Sequence, residues 1–380
     1  MIAYFIQKKL FTGYKQIRGL VKRNKTIFSL HRHLTDEDYK RQLRCMKQCR
    51  SKPKSQIENE MKRYAEYWKC PADDYVRYGL FEKSLPIEDI LDYVPMQYYY
   101  CNYYDEQFSG IDIAHWEDKW NEHILLKEKG INTPKVVALV QNGRLCSVGK
   151  RITDMKSLLA NTLEGERLFI KPTNGNSGNG IFVLNKINGI FKHKEKIITS
   201  INDLKIKKHL NYIVQRGLIQ RNDLAEINES SLNTLRTIVK YTDGKPHIVA
   251  ILLRMGRKGC ELDNSGQGGI SVSIDLSTGL FGDFAGREHG GGIFYEHPDT
   301  GYVFKGKGIR DWNDIFGKIQ KTVSCINTFK LIGWDLAIGE DSQVYVIEFN
   351  MGFGIEHAQT ILGGFRRRLE ICPKHKGTYK

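Results

Sequence analysis

The chain has 380 residues, 41% hydrophobic and 27% charged, with 36 Gly against nine Pro, a composition that excludes a disordered tail, a collagen-like repeat and a disulfide miniprotein. Its net charge of +15 sits at the ends. Residues 1 to 54 hold 15 Lys/Arg against Asp36, Glu37 and Asp38, residues 366 to 380 hold six against Glu370, and the body between is close to neutral, which argues against a nucleic-acid groove and for a body tethered to something anionic.

From the start, Ile2, Ile6, Leu10, Ile17, Leu20 and Val21 fall near one helical stripe, with Lys8, Lys9, Lys15, Arg18, Lys22 and Arg23 interspersed. The pattern suits a helix lying on an anionic membrane surface, and equally a basic helix packed on its own body. No stretch reaches the roughly 18 apolar residues of a membrane span, and Met1–Ile6 lacks the flanks of a secretory signal. A cytoplasmic protein is expected, with peripheral contact at the inner face of the membrane as the added possibility. The eight cysteines are dispersed without a C-x-x-C, as reduced thiols would be. His31, His33, Cys45 and Cys49 match no zinc spacing, and Thr35-Asp-Glu-Asp38 reads as a helix cap.

Residues 30 to 110 read as helical and polar, with Tyr64, Tyr67, Trp68, Tyr75, Tyr78 and a Tyr98–Tyr100 run. After Ser109-Gly110 the texture changes. A helix is predicted from Trp116 to Lys129, stopped by Gly130, then a strand over 134–140 ending at Asn142-Gly143. Strands follow at 168–170, 181–184, 212–214, 235–241, 247–253, 270–274, 334–338 and 344–349, with one helix over 311–328. This is an α/β (α+β) pattern.

Two constellations carry chemistry. In Phe169-Ile-Lys171-Pro-Thr-Asn-Gly175-Asn176-Ser177-Gly178-Asn-Gly180 a strand ends in a lysine and a glycine-rich turn leads into a second strand. Small residues let backbone N–H groups approach phosphate oxygens while the lysine supplies charge. No Gly-Lys-Ser/Thr follows, so this is not a Walker A loop, and an ordinary glycine-rich hairpin has the same local signature. In Gly333-Trp-Asp335 followed by Glu348-Phe-Asn350, oxygen donors stand on adjacent strands, with Glu348 and Asn350 two apart on one face. Such a set suits a hard cation completed by substrate phosphates. Glu288-His289-Gly-Gly-Gly292 looks like an esterase oxyanion loop, but no Gly-x-Ser-x-Gly accompanies it. Ser271, Ser273 and Asp275 alternate along a strand, facing solvent or lining a substrate.

In this order, and with Asn233-Thr-Leu-Arg236, Asp263–Ile270, Ile274–Gly279 and His297-Pro298 between them, these blocks resemble the ATP-grasp superfamily, in the branch associated with sugar transfer. The resemblance spans roughly 117 to 364. It implies an ATP-grasp fold of two α/β lobes clamping Mg-ATP, at 111–219 and 220–365; the helical basic extension over 1–110 and the basic tail over 366–380 lie outside the resemblance and are read from the residues alone. It further implies that Lys119, Lys171, the Gly175–Gly180 loop, Gln215 and Leu218 bind ATP, that Lys171, Arg236 and Arg254 act on the transferred phosphoryl group, and that Asp335, Glu348 and Asn350 hold two Mg2+ ions, with Mn2+ as the alternative. Gln215 stands where many of these enzymes have Glu. The implied reaction ligates a carboxylate to an amine through an acyl phosphate, joining an amino acid to a sugar acid or amino sugar, free or lipid-linked, in bacterial surface polysaccharide synthesis. No nucleic-acid partner is expected. The alternative is an inactive binding protein of a polysaccharide assembly complex, which the joint presence of Lys171, Arg236, Asp335, Glu348 and Asn350 argues against. Glu348→Ala is expected to impair turnover far more than folding.

Overall fold

The computed structural model describes residues 43–49, 51–149, 151–175, 180–259, 268–287 and 292–373. The amphipathic stripe at 2–21, His31, His33 and the Thr35 cap lie outside them, as do Asn176, Ser177, Gly178, the 260–267 segment, Glu288–Gly291 and the last seven residues.

The chain divides into two compact units, one built from residues up to Ser109 with Ala285–Phe294 and the part after Gly352, the other from Gly110–Phe284 and Tyr295–Met351. The first has a tyrosine-rich core where the sequence pattern suggests only polar helices. Helices α1 (Lys54–Trp68) and α2 (Asp73–Arg77) bury Tyr64, Trp68 and Tyr75, and the helical run Met96–Tyr98, Tyr99–Tyr104 adds Tyr99 and Tyr104. Rings meet edge-on or tilted, as between Trp68 and Tyr98 at 4.9 Å, the arrangement that ring quadrupoles favour. Gln359 is fully buried and ties the far end of the chain to this core: its Oε1 accepts from Val94 N at 2.7 Å, and its Nε2 donates to Tyr78 Oη at 2.8 Å and Val94 O at 3.0 Å. Arg367 donates to Asp92 at 2.9 Å and Arg366 lies 3.6 Å from the same carboxylate, so these two basic residues pair within the unit.

The second unit holds α3 (Lys119–Glu128), β1 (Val136–Gln141), β2 (Arg144–Ser147), α4 (Met155–Ala160), β3 (Arg167–Pro172), β4 (Phe182–Ile187), β5 (Ile190–His193), β6 (Lys196–Ile198) and β7 (Tyr212–Arg216). It continues with β8 (Thr234–Thr242), β9 (Lys245–Met255), β10 (Ile270–Ile274), the first four residues of β11 (Phe281–Gly286), α5 (Trp312–Ser324), β13 (Leu331–Ile338) and β14 (Val344–Asn350), while the last two residues of β11 and all of β12 (Ile293–Phe294) belong to the first unit. The strands form two sheets, in the orders β2-β1-β7-β3-β4-β5-β6 and β11-β10-β9-β8-β13-β14.

One face of the first sheet is apolar because alternate residues such as Leu168, Ile170, Leu184, Tyr212 and Val214 point to it, and α4 covers them with Met155 and Leu158. In the second sheet all eight residues of β13 are buried, which explains why its sequence is apolar apart from Gly333 and Asp335. On α5, Trp312, Ile315, Ile319 and Val323 turn inward at helical spacing.

Where the structure departs from the sequence pattern, local chemistry explains it. The helix expected from Trp116 breaks at Asp118, whose carboxylate caps Trp120 N and Asn121 N at 3.0 and 3.2 Å and starts α3 at Lys119. The helix expected over 311–328 is the shorter α5. β2, β5, β6 and β11 escape the sequence reading because they lie toward a sheet edge and are short or interrupted by polar residues and Gly.

Candidate nucleotide and metal site

The site is built on the second unit, on the face of the second sheet set by its register. Asp335 on β13 lies opposite Arg236 on β8 and Glu348 on β14, and Gly333 opposite Asn350. Directly opposed residues share a face. A β-bulge makes this possible: Leu336 pairs with Val346 while Asp335 pairs with Glu348, so Ile347 is the extra residue. Without it, the phase of β14 would carry Glu348 to the other face.

Asp335 is 3% exposed. Its Oδ1 accepts from Arg236 Nε at 2.7 Å and Arg254 Nη1 at 3.1 Å, and its Oδ2 from Arg236 Nη2 at 3.0 Å. The Arg236 contact is bidentate, the geometry a planar guanidinium favours. Asn350 Nδ2 lies 3.4 Å from both Asp335 Oδ2 and Glu348 Oε1, so the three expected metal-binding side chains are brought together.

Lys119, the first residue of α3, reaches Glu348 Oε2 at 3.2 Å and donates to Gly175 O at 2.7 Å. One ammonium thus joins the glycine-rich turn to the strand bearing the acidic residues. Burial by itself would lower its pKa, but the carboxylates of Glu348, Glu122 and Glu117 outweigh burial and raise it. The converse holds for Glu348: burial favours its neutral form, yet Lys119, Lys171 and Arg236 overcome this and depress its pKa to about 2. Lys171, on β3, therefore acts electrostatically on this cluster, and its ammonium also stands 5.8 Å from the Phe169 ring centroid.

Gly175 and Gly180 are the described residues at the two ends of the glycine-rich segment. A Cβ on Gly175 would stand 3.1 Å from Pro172 Cβ, and Gly180 has φ +76, a conformation that favours glycine. Gln215 is buried on β7, paired with Val136 and Phe169, and lines a narrow recess with Lys119, Glu122 and His123. Leu218 follows in the connection out of β7. There Gly217 N donates to Arg167 O at 2.7 Å, and a Cβ at Gly217 would meet that oxygen at 3.2 Å.

The sequence reading missed Glu117 and Glu122. β14 is the edge strand of its sheet, and its outward N–H groups find partners elsewhere: Val346 N donates to Asn132 O at 2.8 Å, Phe349 N to Glu122 Oε1 at 2.8 Å and Met351 N to Glu117 Oε1 at 3.0 Å. Burial pushes the Glu122 carboxyl well above the usual range and Glu348 reinforces the shift, while Lys119 and the Phe349 N–H oppose it. The available signal was spacing: Glu122 lies three residues after Lys119, on the same helix face.

Other sequence candidates fall elsewhere. Ser271 is buried and its Oγ has no hydrogen-bond partner among the described residues. Asp275 instead closes an exposed turn by accepting from Ser277 and Thr278. His297 is fully buried, with Nε2 3.0 Å from Gly256 O. The described cysteines are free.

The donor set suits a hard cation: two carboxylates and an amide, with no sulfur or imidazole. Among the described residues no group of three or more His, Cys, Asp or Glu side chains forms a metal cluster. No helix among the described residues is long and apolar enough to cross a membrane.

Two antiparallel sheets, with Lys119 on a helix, Lys171 on a strand of the first sheet, and Arg236, Arg254 and the Asp335-Glu348-Asn350 set on adjoining strands of the second, define an ATP-grasp architecture. The model of the sugar-transfer associated ATP-grasp family matches residues 99–370, and the chain belongs to that family. The match begins before the stretch at 117 that carried the sequence resemblance, taking in part of the tyrosine-rich segment.

Solved structures similar to the chain include D-alanyl-alanine synthetase A from Vibrio cholerae O1 biovar eltor, 12% identical over 68% of this chain and 60% of that one, with a TM-score of 0.37. VanG D-Ala:D-Ser ligase from Enterococcus faecalis is 17% identical over 68% and 60%, at 0.36. L-amino acid ligase from Bacillus licheniformis is 13% identical over 78% and 52%, at 0.34. The chain thus spans six tenths or less of the length of these proteins. No curated protein matches it.

Proposed function

We propose that the protein is an ATP-dependent carboxylate-amine ligase. The observation that carries this reading is the single cluster in which Lys119 bridges Gly175 to Glu348 while Arg236 and Arg254 converge on Asp335 beside Asn350. A substrate carboxylate attacking the γ-phosphate of ATP meets anionic repulsion, and cationic side chains held in a partly dry site reduce it at little reorganisation cost. Lys119, Lys171, Arg236 and Arg254 would supply that charge. Asp335, Glu348 and Asn350 would hold Mg2+, which when bound neutralises phosphate charge. For it to reach Asp335, guanidinium groups must yield part of that carboxylate, and the incoming triphosphate offers them replacement anions.

The carboxylate oxygen forms a bond to the γ-phosphorus as the bond to the β-bridging oxygen breaks and ADP leaves. An amine then attacks the acyl carbon, phosphate departs, and the amine's proton passes to solvent. No protein nucleophile is needed. We assign the substrates to an amino acid and a sugar acid or amino sugar of a bacterial surface polysaccharide, free or lipid-linked, with the protein working in the cytoplasm and its basic N-terminal segment touching an anionic membrane. Membership of a sugar-transfer associated family supports that setting.

Calorimetric titration with a non-hydrolysable ATP analogue, with and without Mg2+, tests the shared first step. Magnesium-dependent binding weakened at least tenfold in Lys171→Ala is expected. Should the wild type bind nothing in either condition, the ligase reading is wrong. ADP release screened over sugar acids and amino acids then identifies the substrates.

A further inference from the structure

An edge strand is a poor place for a metal site, since one side of its backbone lacks a neighbouring strand to hold it. Here that side is held by side chains. The N–H groups of Phe349 and Met351 lie two residues apart and flank Asn350, and Glu122 Oε1 and Glu117 Oε1 accept them at 2.8 and 3.0 Å. Glu122 is 4% exposed, so this contact is shielded from competing water. Glu117 and Glu122 lie on either side of Lys119, the residue that bridges Glu348 to Gly175. One short segment of chain therefore sets both the backbone of the acidic strand and the cation facing its side chain.

We propose that Glu122 and Glu117 are positioning residues: by holding the peptide groups on both sides of Asn350 they hold Glu348 and Asn350 in the geometry that receives the nucleotide's divalent cation. This rests on the nucleotide-site reading given above. Side chains that orient metal-binding residues commonly alter metal affinity by about ten- to a hundredfold when removed.

The test compares Glu122→Ala, Glu122→Gln and Glu117→Ala with wild type by calorimetry of the same ATP analogue across a Mg2+ series, with thermal melting alongside. Glutamine keeps an acceptor oxygen and cannot ionise. The expected result is a Mg2+ half-saturation raised about tenfold in both alanine variants and restored to within about threefold by Glu122→Gln, with magnesium-free nucleotide binding unchanged. Glu117→Ala carries the test should Glu122→Ala fold poorly. Folded alanine variants with wild-type Mg2+ half-saturation overturn the proposal, since a purely structural role lowers melting alone. Glu122→Gln as impaired as Glu122→Ala overturns it too, because the effect then does not come from the hydrogen bond that the side-chain oxygen accepts. A wild type without magnesium-dependent binding instead refutes the nucleotide site, and the proposal with it.

Discussion

Glu348→Gln separates the electrostatics of the site from its architecture. In the wild type, Glu348 Oε2 lies 3.2 Å from Lys119 Nζ, with side-chain exposures of 29% and 12%. At an effective dielectric of about 20 the bare attraction is about 5 kcal/mol, most of it offset by desolvation of the two charges. Breaking a fully buried pair by removing one partner costs about 3–5 kcal/mol. The exposure of Glu348 and relief of its repulsion on Glu122 reduce that to about 1–3 kcal/mol, a melting shift of roughly 1 to 4 °C for a chain of 380 residues.

The pH dependence has a definite sign. The Glu348 carboxyl is depressed in the folded state from 4.5 to about 2, so its stabilisation is complete above 4.5 and fades as pH falls toward 2. Glutamine does not titrate. The melting gap between variant and wild type is therefore expected to be largest at pH 6 to 7 and to narrow by pH 3, by scanning calorimetry. In the analogue titration, the increment due to Mg2+ is expected to fall by more than about a hundredfold, with binding in its absence retained. A gap that does not narrow in acid, or an unchanged magnesium increment, refutes the assignment of Glu348.

Two further outcomes test the surrounding structure. Gly279 has φ +74, and a Cβ there would lie 2.4 Å from Trp312 Cγ, so Gly279→Ala is expected to cost about 2–5 kcal/mol from backbone strain and overlap with α5, read from the urea midpoint; an unchanged midpoint would show that Trp312 can move aside. Iodoacetamide at pH 8 is expected to alkylate Cys49 well before Cys70, by peptide mass spectrometry. The Ser51 hydroxyl lowers the Cys49 thiol's pKa, whereas burial raises that of Cys70 to about 12. Equal rates would contradict the burial of Cys70.

Much of the site was legible because its parts are local. Lys171 stands near the end of an alternating strand, Gly175 and Gly180 bracket a turn, and Glu348 and Asn350 are two apart on a strand, so each reads from a short window. Glu122 was not legible: on α3 it looks like any polar helix position, and its role lies in a hydrogen bond to Phe349, 227 residues away. The tyrosine-rich segment was misread as polar because Tyr is amphipathic. Its rings bury as a core only when residues around 353–365 close over them, as Tyr99 and Phe353 do at 6.4 Å.

By itself, the amino-acid sequence determined the kinds of element, their order and the residue types able to bind phosphate and a hard cation, since apolar period, turn chemistry and charge are properties of neighbouring residues. Tertiary structure alone decided which of them meet. The bulge at Ile347 turns Glu348 toward Asp335, the pairing of β8 with β13 sets Arg236 on that aspartate, and β14 takes its edge partners from Glu117 and Glu122. Such contacts are set by register across strands far apart in the chain, where a shift of one residue exchanges the faces of the sheet, and no local window of sequence contains that choice.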